Sequence, residues 1–142
     1  MFWNTRLAAQ TRSASSNGTA RAKNLIFMVS DGMNHGTQSA ANFWMRLTEG
    51  ADSAWIKLYK DGLATPRLME TACANSIVTD SAAASSAWGI GHRVNLGSVN
   101  TLPDGSQPVP FGMLAKATGK SAGMVTTARI THATPAGFAA NV

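Results

Sequence analysis

Leu25-Ile26-Phe27-Met28-Val29, followed at once by Ser30-Asp31-Gly32, decides how the rest of this chain is read. A short, unbroken apolar run that stops at a turn signal predicts a strand buried on both faces, as in a parallel sheet. Ser121–Thr127 (SAGMVTT) is a second candidate of the same kind, and Gly62–Met69 and Asn75–Val78 are weaker ones. Pro66 confines the first of these two to an edge or a bulge.

Helical signals lie between the strand candidates. Residues 36–48 (GTQSAANFWMRLT) suit a helix that Gly50 ends. Trp55, Ile56, Leu58 and Tyr59 mark a short amphipathic piece. Residues 79–88 (TDSAAASSAW) are Ala-rich and helix-prone, with Gly89 and Gly91 closing them. Pro110–Thr118 reads as a helix with Pro at its first position and Gly119 as the stop. Thr134-Pro135 opens another, with Thr as the N-cap. Residues 92–109 are loop, punctuated by Gly97, Pro103, Asp104-Gly105 and Pro108. Strand alternating with helix predicts an α/β fold.

The chain has 142 residues, the size of one ordinary domain. Only 13% are charged, against about 25% in a typical soluble domain. Such a chain is either mostly buried or mostly paired with something else, and it is not disordered by composition. The net charge of +5 is spread as +4 over residues 1–25, −2 over 26–104 and +3 over 105–142. No dense basic patch forms, which argues against nucleic acid as a partner. No stretch approaches the roughly 18 apolar residues of a membrane span. A single cysteine, Cys73, excludes an internal disulfide framework and any Cys-rich zinc module. It reads as a small buried hydrophobe. Residues 1–23 are polar and small and read as a leader or disordered linker, with residues 24–142 as the ordered part. The leader shows no apolar core of a secretory signal.

Several residues carry chemistry or admit a plainer reading. Asp31, where a strand candidate ends, is either a hard-metal ligand or a turn aspartate. Ser81 is either a nucleophile at a helix N-terminus or, like Thr79 and Asp80, a capping residue. His132 lies at the mouth of the second strand candidate, two residues before Thr134, whose hydroxyl oxygen suits Mg²⁺ better than Zn²⁺. His35 and His92 have no zinc-type partner spacing. Trp44, Trp55 and Trp88 read as core. There is no Gly-x-Ser-x-Gly elbow around Ser81 and no P-loop.

Three stretches, taken in order, resemble the alkaline phosphatase family: Leu25–Met33, with Asp31-Gly32-Met33; Val78–Trp88, with Thr79-Asp80-Ser81-Ala82; and Gly119–Gly137, with His132-Ala133-Thr134-Pro135. The resemblance covers roughly residues 22–142. It implies a three-layer α/β/α fold with a mostly parallel sheet, incomplete in this chain, which would be the opening third or so of a larger enzyme. It implies a phosphomonoester hydrolase acting through a phosphoserine on Ser81, with two Zn²⁺ and one Mg²⁺ in the complete enzyme. Asp31 would bridge a zinc and the magnesium, Thr134 would ligate magnesium, Asp80 would orient a phosphate-binding arginine, and His132 would tune the metal site from behind the ligands. Relatives commonly work outside the cytoplasm and many pair, so a periplasmic or secreted location is expected, and a homodimer for the full-length protein.

Neither Arg93 nor Arg129 falls where the family places its phosphate-binding arginine, and most of the family's metal ligands have no counterpart here. The chain alone is therefore expected to lack phosphatase activity and, with an unpaired apolar strand edge, to be poorly soluble. Two other readings remain open at this stage: another hydrolase of the same superfamily (phosphodiesterase or sulfatase), and a non-catalytic phosphate- or metal-binding relic.

Overall fold

A computed structural model describes residues 23–142, so the predicted leader falls, Lys23 apart, outside the described residues. The chain divides into two compact units, Met1–Met69 and Glu70–Val142. Five helices form, in order α1 (His35–Glu49), α2 (Ala54–Lys60), α3 (Ser81–Gly89), α4 (Phe111–Ala117) and α5 (Ala133–Ala136).

The described part of the first unit starts without regular secondary structure and turns at Ser30–Met33, where the Met33 N–H donates to the Ser30 carbonyl at 3.3 Å. Gly32 has φ 72° there, a left-handed value that glycine adopts without a Cβ penalty. Asn34 then caps α1: its side-chain oxygen accepts from the Thr37 N–H at 2.9 Å. Gly50, left-handed at φ 65°, ends the helix. The loop into α2 is fastened to α1 by polar contacts. Asn42 accepts from the Ser53 N–H at 2.8 Å and donates to Asp52. Asp52 also pairs with Arg46 of α1 at 2.8 Å and with Lys60 of α2. The Lys60 hydrogen bond, more than any other contact, holds the Asp52 carboxyl below its usual 3.8; burial pushes it up, and Asn42 and Arg46 pull it down further.

The second unit is built around α3. Cys73, Ala83 and Val94 form its buried apolar centre, with Ile90 and Leu102 packed against them, so Cys73 is the small buried hydrophobe expected. Helix α3 packs on α5 and α4. Small residues make this possible. A Cβ on Gly89 would lie 2.2 Å from the Gly137 carbonyl oxygen and 2.8 Å from Asn100 Oδ1. A Cβ on Gly137 would lie 2.5 Å from Ser85 Cβ, and one on Gly112 would lie 2.5 Å from the Phe138 carbonyl oxygen. Trp88 and Phe138 close the edge of the contact, ring centroids 4.3 Å apart. Val99 and Val142 exchange both backbone hydrogen bonds, at 2.9 and 2.8 Å, as an antiparallel pair does.

The predicted helices are all present, with shifted ends. Pro110 is the N-cap of α4 rather than its first residue. In α5 the N-cap is His132, so Thr134 sits inside the helix instead of capping it. The strand predictions are corrected: 25–29, 62–69, 75–78 and 121–127 form no strand among the described residues. A strand exists only through inter-strand hydrogen bonds, and these segments have no ladder to join. Many of their apolar side chains are exposed: Ile26 is 60% exposed and Val125 fully so. Trp44, read as core, is 68% exposed, whereas Trp55 and Trp88 are half-buried.

Gly89→Ala should destabilise the second unit by about 2 kcal/mol or more, because the new methyl meets backbone rather than a yielding side chain. Gly123→Ala, with open space around it, should change stability by less than about 0.5 kcal/mol in the same urea titration. For Asp52, a carboxyl whose pKa is lowered on folding stabilises above its ordinary value, and that contribution is lost as pH falls through the lowered one. Amide exchange in α1 and α2 should therefore be faster in Asp52→Asn than in the parent at pH 7. The gap should close as the pH drops below 3.8.

Candidate active site

Four of the five candidate residues, Asp80, Ser81, His132 and Thr134, belong to the second unit; Asp31 belongs to the first, exposed in its turn. Ser81 is the first residue of α3, half-buried. The capping role weighed for its neighbours falls to Asp80, whose backbone is extended (φ −120°, ψ 178°) and whose Oδ1 accepts from the Ala83 N–H at 2.9 Å. Oδ2 accepts from the Gly97 N–H, also at 2.9 Å. One carboxylate thus starts the serine-bearing helix and draws the turn Asn95–Ser98 against it. Asn75 holds the same turn as well, accepting from the Leu96 N–H at 2.9 Å. Negative charge beside the first turn of a helix is also favoured by the helix dipole.

Behind Ser81, α3 presents Ala82, Ala83, Ser85, Ser86 and Gly89 to the interior. The Ser85 and Ser86 hydroxyls donate to the Ala82 carbonyl at 2.9 and 3.0 Å, so two buried polar groups are satisfied within the helix itself. Gly137 follows Thr134 by three residues and lies against Ser85, one helical turn after Ser81. The fold thereby sets the serine helix beside the short helix carrying Thr134.

His132 caps α5 through Nδ1, which accepts from the Thr134 N–H at 3.4 Å. With Nδ1 assigned as acceptor from this hydrogen bond, the neutral ring carries its proton on Nε2. In that form the outer nitrogen is a hydrogen-bond donor. Arg93 is paired with Glu70, both side chains exposed, and the guanidinium holds the Glu70 carboxyl below its ordinary value. Among the described residues no three of His, Cys, Asp or Glu converge as a metal site. The residues described here therefore do not by themselves form the zinc centre that the resemblance implies.

The alkaline phosphatase family model matches residues 22–142. The chain belongs to the alkaline phosphatase family. It is 34% identical over 126 residues to the streptomycin-6-phosphate phosphatase of Streptomyces griseus, a match covering 88% of this chain and 28% of that protein. It is 32% identical to the membrane-bound alkaline phosphatase of Bombyx mori, over 85% of this chain and 24% of the relative. The human tissue-nonspecific alkaline phosphatase is also 32% identical, over 80% of this chain and 24% of the relative. The fold superposes on the crystal structure of Thermus thermophilus alkaline phosphatase with a TM-score of 0.73 at 34% identity, covering 80% of this chain and 24% of that one. That match supports the α/β family fold, although the described residues of this chain form helices alone. The chain spans about a quarter of the length of the curated relatives it matches.

The sequence singled out Asp80 and Ser81 as candidates but not Gly97, which donates to Asp80, nor Asn75 and Asn100. Gly97 was visible only as a turn glycine, and a lone asparagine in a loop carries no signal of its tertiary contacts.

Asp80→Ala should lower the stability of the second unit by about 1–2 kcal/mol, the cost of a lost N-cap and a lost loop anchor. Asp80→Asn, which keeps an acceptor for only one of the two amides, should fall between Ala and the parent. An Ala variant that unfolds at the parent's urea midpoint would show that the carboxylate does not hold the helix start.

Proposed function

We propose that this chain is the nucleophile-bearing segment of a phosphomonoester hydrolase. The observation that carries the reading is Ser81 at the first position of α3, capped by Asp80, in a chain of the alkaline phosphatase family. Ser81 Oγ attacks phosphorus and gives up its proton, the P–Oγ bond forms as the P–O ester bond breaks, and the ester oxygen leaves with the electron pair and takes up a proton. Water then attacks the phosphoserine, the P–Oγ bond breaks, and Ser81 and inorganic phosphate are regenerated. A hydroxyl is a weak nucleophile at neutral pH and needs an electropositive setting. The start of α3 supplies the field of the helix dipole. Asp80 fixes where that helix begins, and so where Oγ stands.

Asp31 and Thr134 are proposed as the oxygen ligands that this segment contributes to the two Zn²⁺ and one Mg²⁺ of the family. His132 is proposed to tune that site as a hydrogen-bond donor. The remaining ligands and the phosphate-binding arginine are not matched by residues of this chain, so no step is assigned to a metal here. The substrate proposed is a phosphate monoester. No helix among the described residues is long and apolar enough to cross a membrane. A periplasmic or secreted location and a homodimer are proposed from the family resemblance alone.

The test is hydrolysis of p-nitrophenyl phosphate with Zn²⁺ and Mg²⁺. The 142-residue chain should show none above buffer, while a polypeptide joining it to the remaining three quarters of a relative should be active. Ser81→Ala in that polypeptide should cost at least about 10³-fold in kcat. Full activity without Ser81 would overturn the assignment of the nucleophile.

A further inference from the structure

Asn100 is fully buried and, among the described residues, is the one non-glycine with a positive φ, 52°. Asparagine tolerates this left-handed backbone better than most residues, and glycine tolerates it best. Backbone conformation alone therefore favours glycine at this position, and the side chain needs a reason of its own. Its contacts supply one. The Asn100 N–H donates to Ser86 Oγ on α3 at 2.7 Å. Its Nδ2 donates twice, to the Gly137 carbonyl at 2.8 Å and the Ala140 carbonyl at 2.7 Å. Its own carbonyl accepts from Asn141 Nδ2 at 2.8 Å, and the same Nδ2 donates to the Pro108 carbonyl at 3.0 Å.

One residue thus grips the serine helix with its backbone and the segment after α5 with its side chain. Gly137 and Ala140 lie at and just past the end of the helix that carries Thr134. Ser86 is five residues along a continuous helix from Ser81, about 7.5 Å of rise. A shift of either element at Asn100 would be carried to the two side chains that the proposed reaction must hold together.

We infer that Asn100 is a positioning residue, fixing the separation of the Ser81 helix and the Thr134 helix through its two carboxamide donors. The inference rests on the reading of Ser81 and Thr134 given above. Asn100→Gly is the informative change, since it keeps the left-handed backbone and the bond from its N–H to Ser86 while removing the side chain that carries the two donors. Asn100→Asp keeps the shape and offers acceptors to two carbonyls, so it should behave like the glycine variant or worse.

Amide hydrogen exchange on the 142-residue chain is the first measurement. In Asn100→Gly the amides of Gly137, Ala139, Ala140 and Val142 should exchange about ten-fold faster or more, while Ala84 and Ile90 of the α3 region stay within about two-fold of the parent. Equal acceleration at both sets, or none at either, overturns the clamp. The second measurement is p-nitrophenyl phosphate kinetics in the active polypeptide that carries this segment. Asn100→Gly should lower kcat about ten-fold with KM within about two-fold, since misplaced reacting groups lose rate at unchanged binding. A raised KM with unchanged kcat overturns the positioning role. If the parent polypeptide hydrolyses nothing, the phosphatase reading fails, and the exchange result still decides whether the clamp exists.

Discussion

The second unit depends on backbone meeting backbone where α3 crosses the end of α5. Gly89 and Gly137 leave no room for a Cβ, and Ser85 fills the space beside them. At such a contact the usual large apolar side chains are absent, so the stabilisation comes from close packing and from hydrogen bonds that only a near approach permits. Asn100 supplies those bonds, and Trp88 stacked at an angle on Phe138 shields the edge of the contact. The buried apolar set is small, centred on Cys73, Ala83 and Val94. A modest core with a tight polar clasp differs from the continuous Val/Ile/Leu core that a buried sheet would give.

The candidate site inherits its order from that contact. Asp80 starts α3 and gathers the turn around Gly97, so the position of Ser81 is fixed from both sides of the helix start. His132 spends its Nδ1 lone pair on capping α5 and leaves a donor at the other ring nitrogen. These contacts set the geometry of the site. For the phosphoryl transfer proposed above, positioning and electrostatics carry most of the rate enhancement.

Much of this was legible in the residues, and the failures have physical causes. The helix over 81–89 was visible because Asp80 and Ser81 are local signals and alanine is the strongest helix former. Family motifs brought Ser81, Asp31 and Thr134 forward together. Gly89 looked like a helix stop, but it is the last residue of the helix and its smallness answers a neighbour 48 positions on, which no local window contains. The Pro135 signal misplaced the start of α5 by two residues, because proline tolerates any position of the first turn. Leu25–Val29 and Ser121–Thr127 have the composition of buried strands, yet a strand needs a paired neighbour, and composition cannot provide one. The exposure of Trp44, Ile26 and Val125 is the same effect seen at side chains: apolar residues chosen for contacts that the described residues do not make.

The most direct test of this account is a nuclear Overhauser measurement on the chain in solution. The close approach of α3 and α5 predicts strong cross-peaks between the Gly137 α-protons and the Ser85 β-protons, together with ring-current shifts where Trp88 faces Phe138. Protected α3 amides without those cross-peaks would mean that the helix forms but does not meet α5, and the account of how the Ser81 helix is held against the Thr134 helix would be wrong.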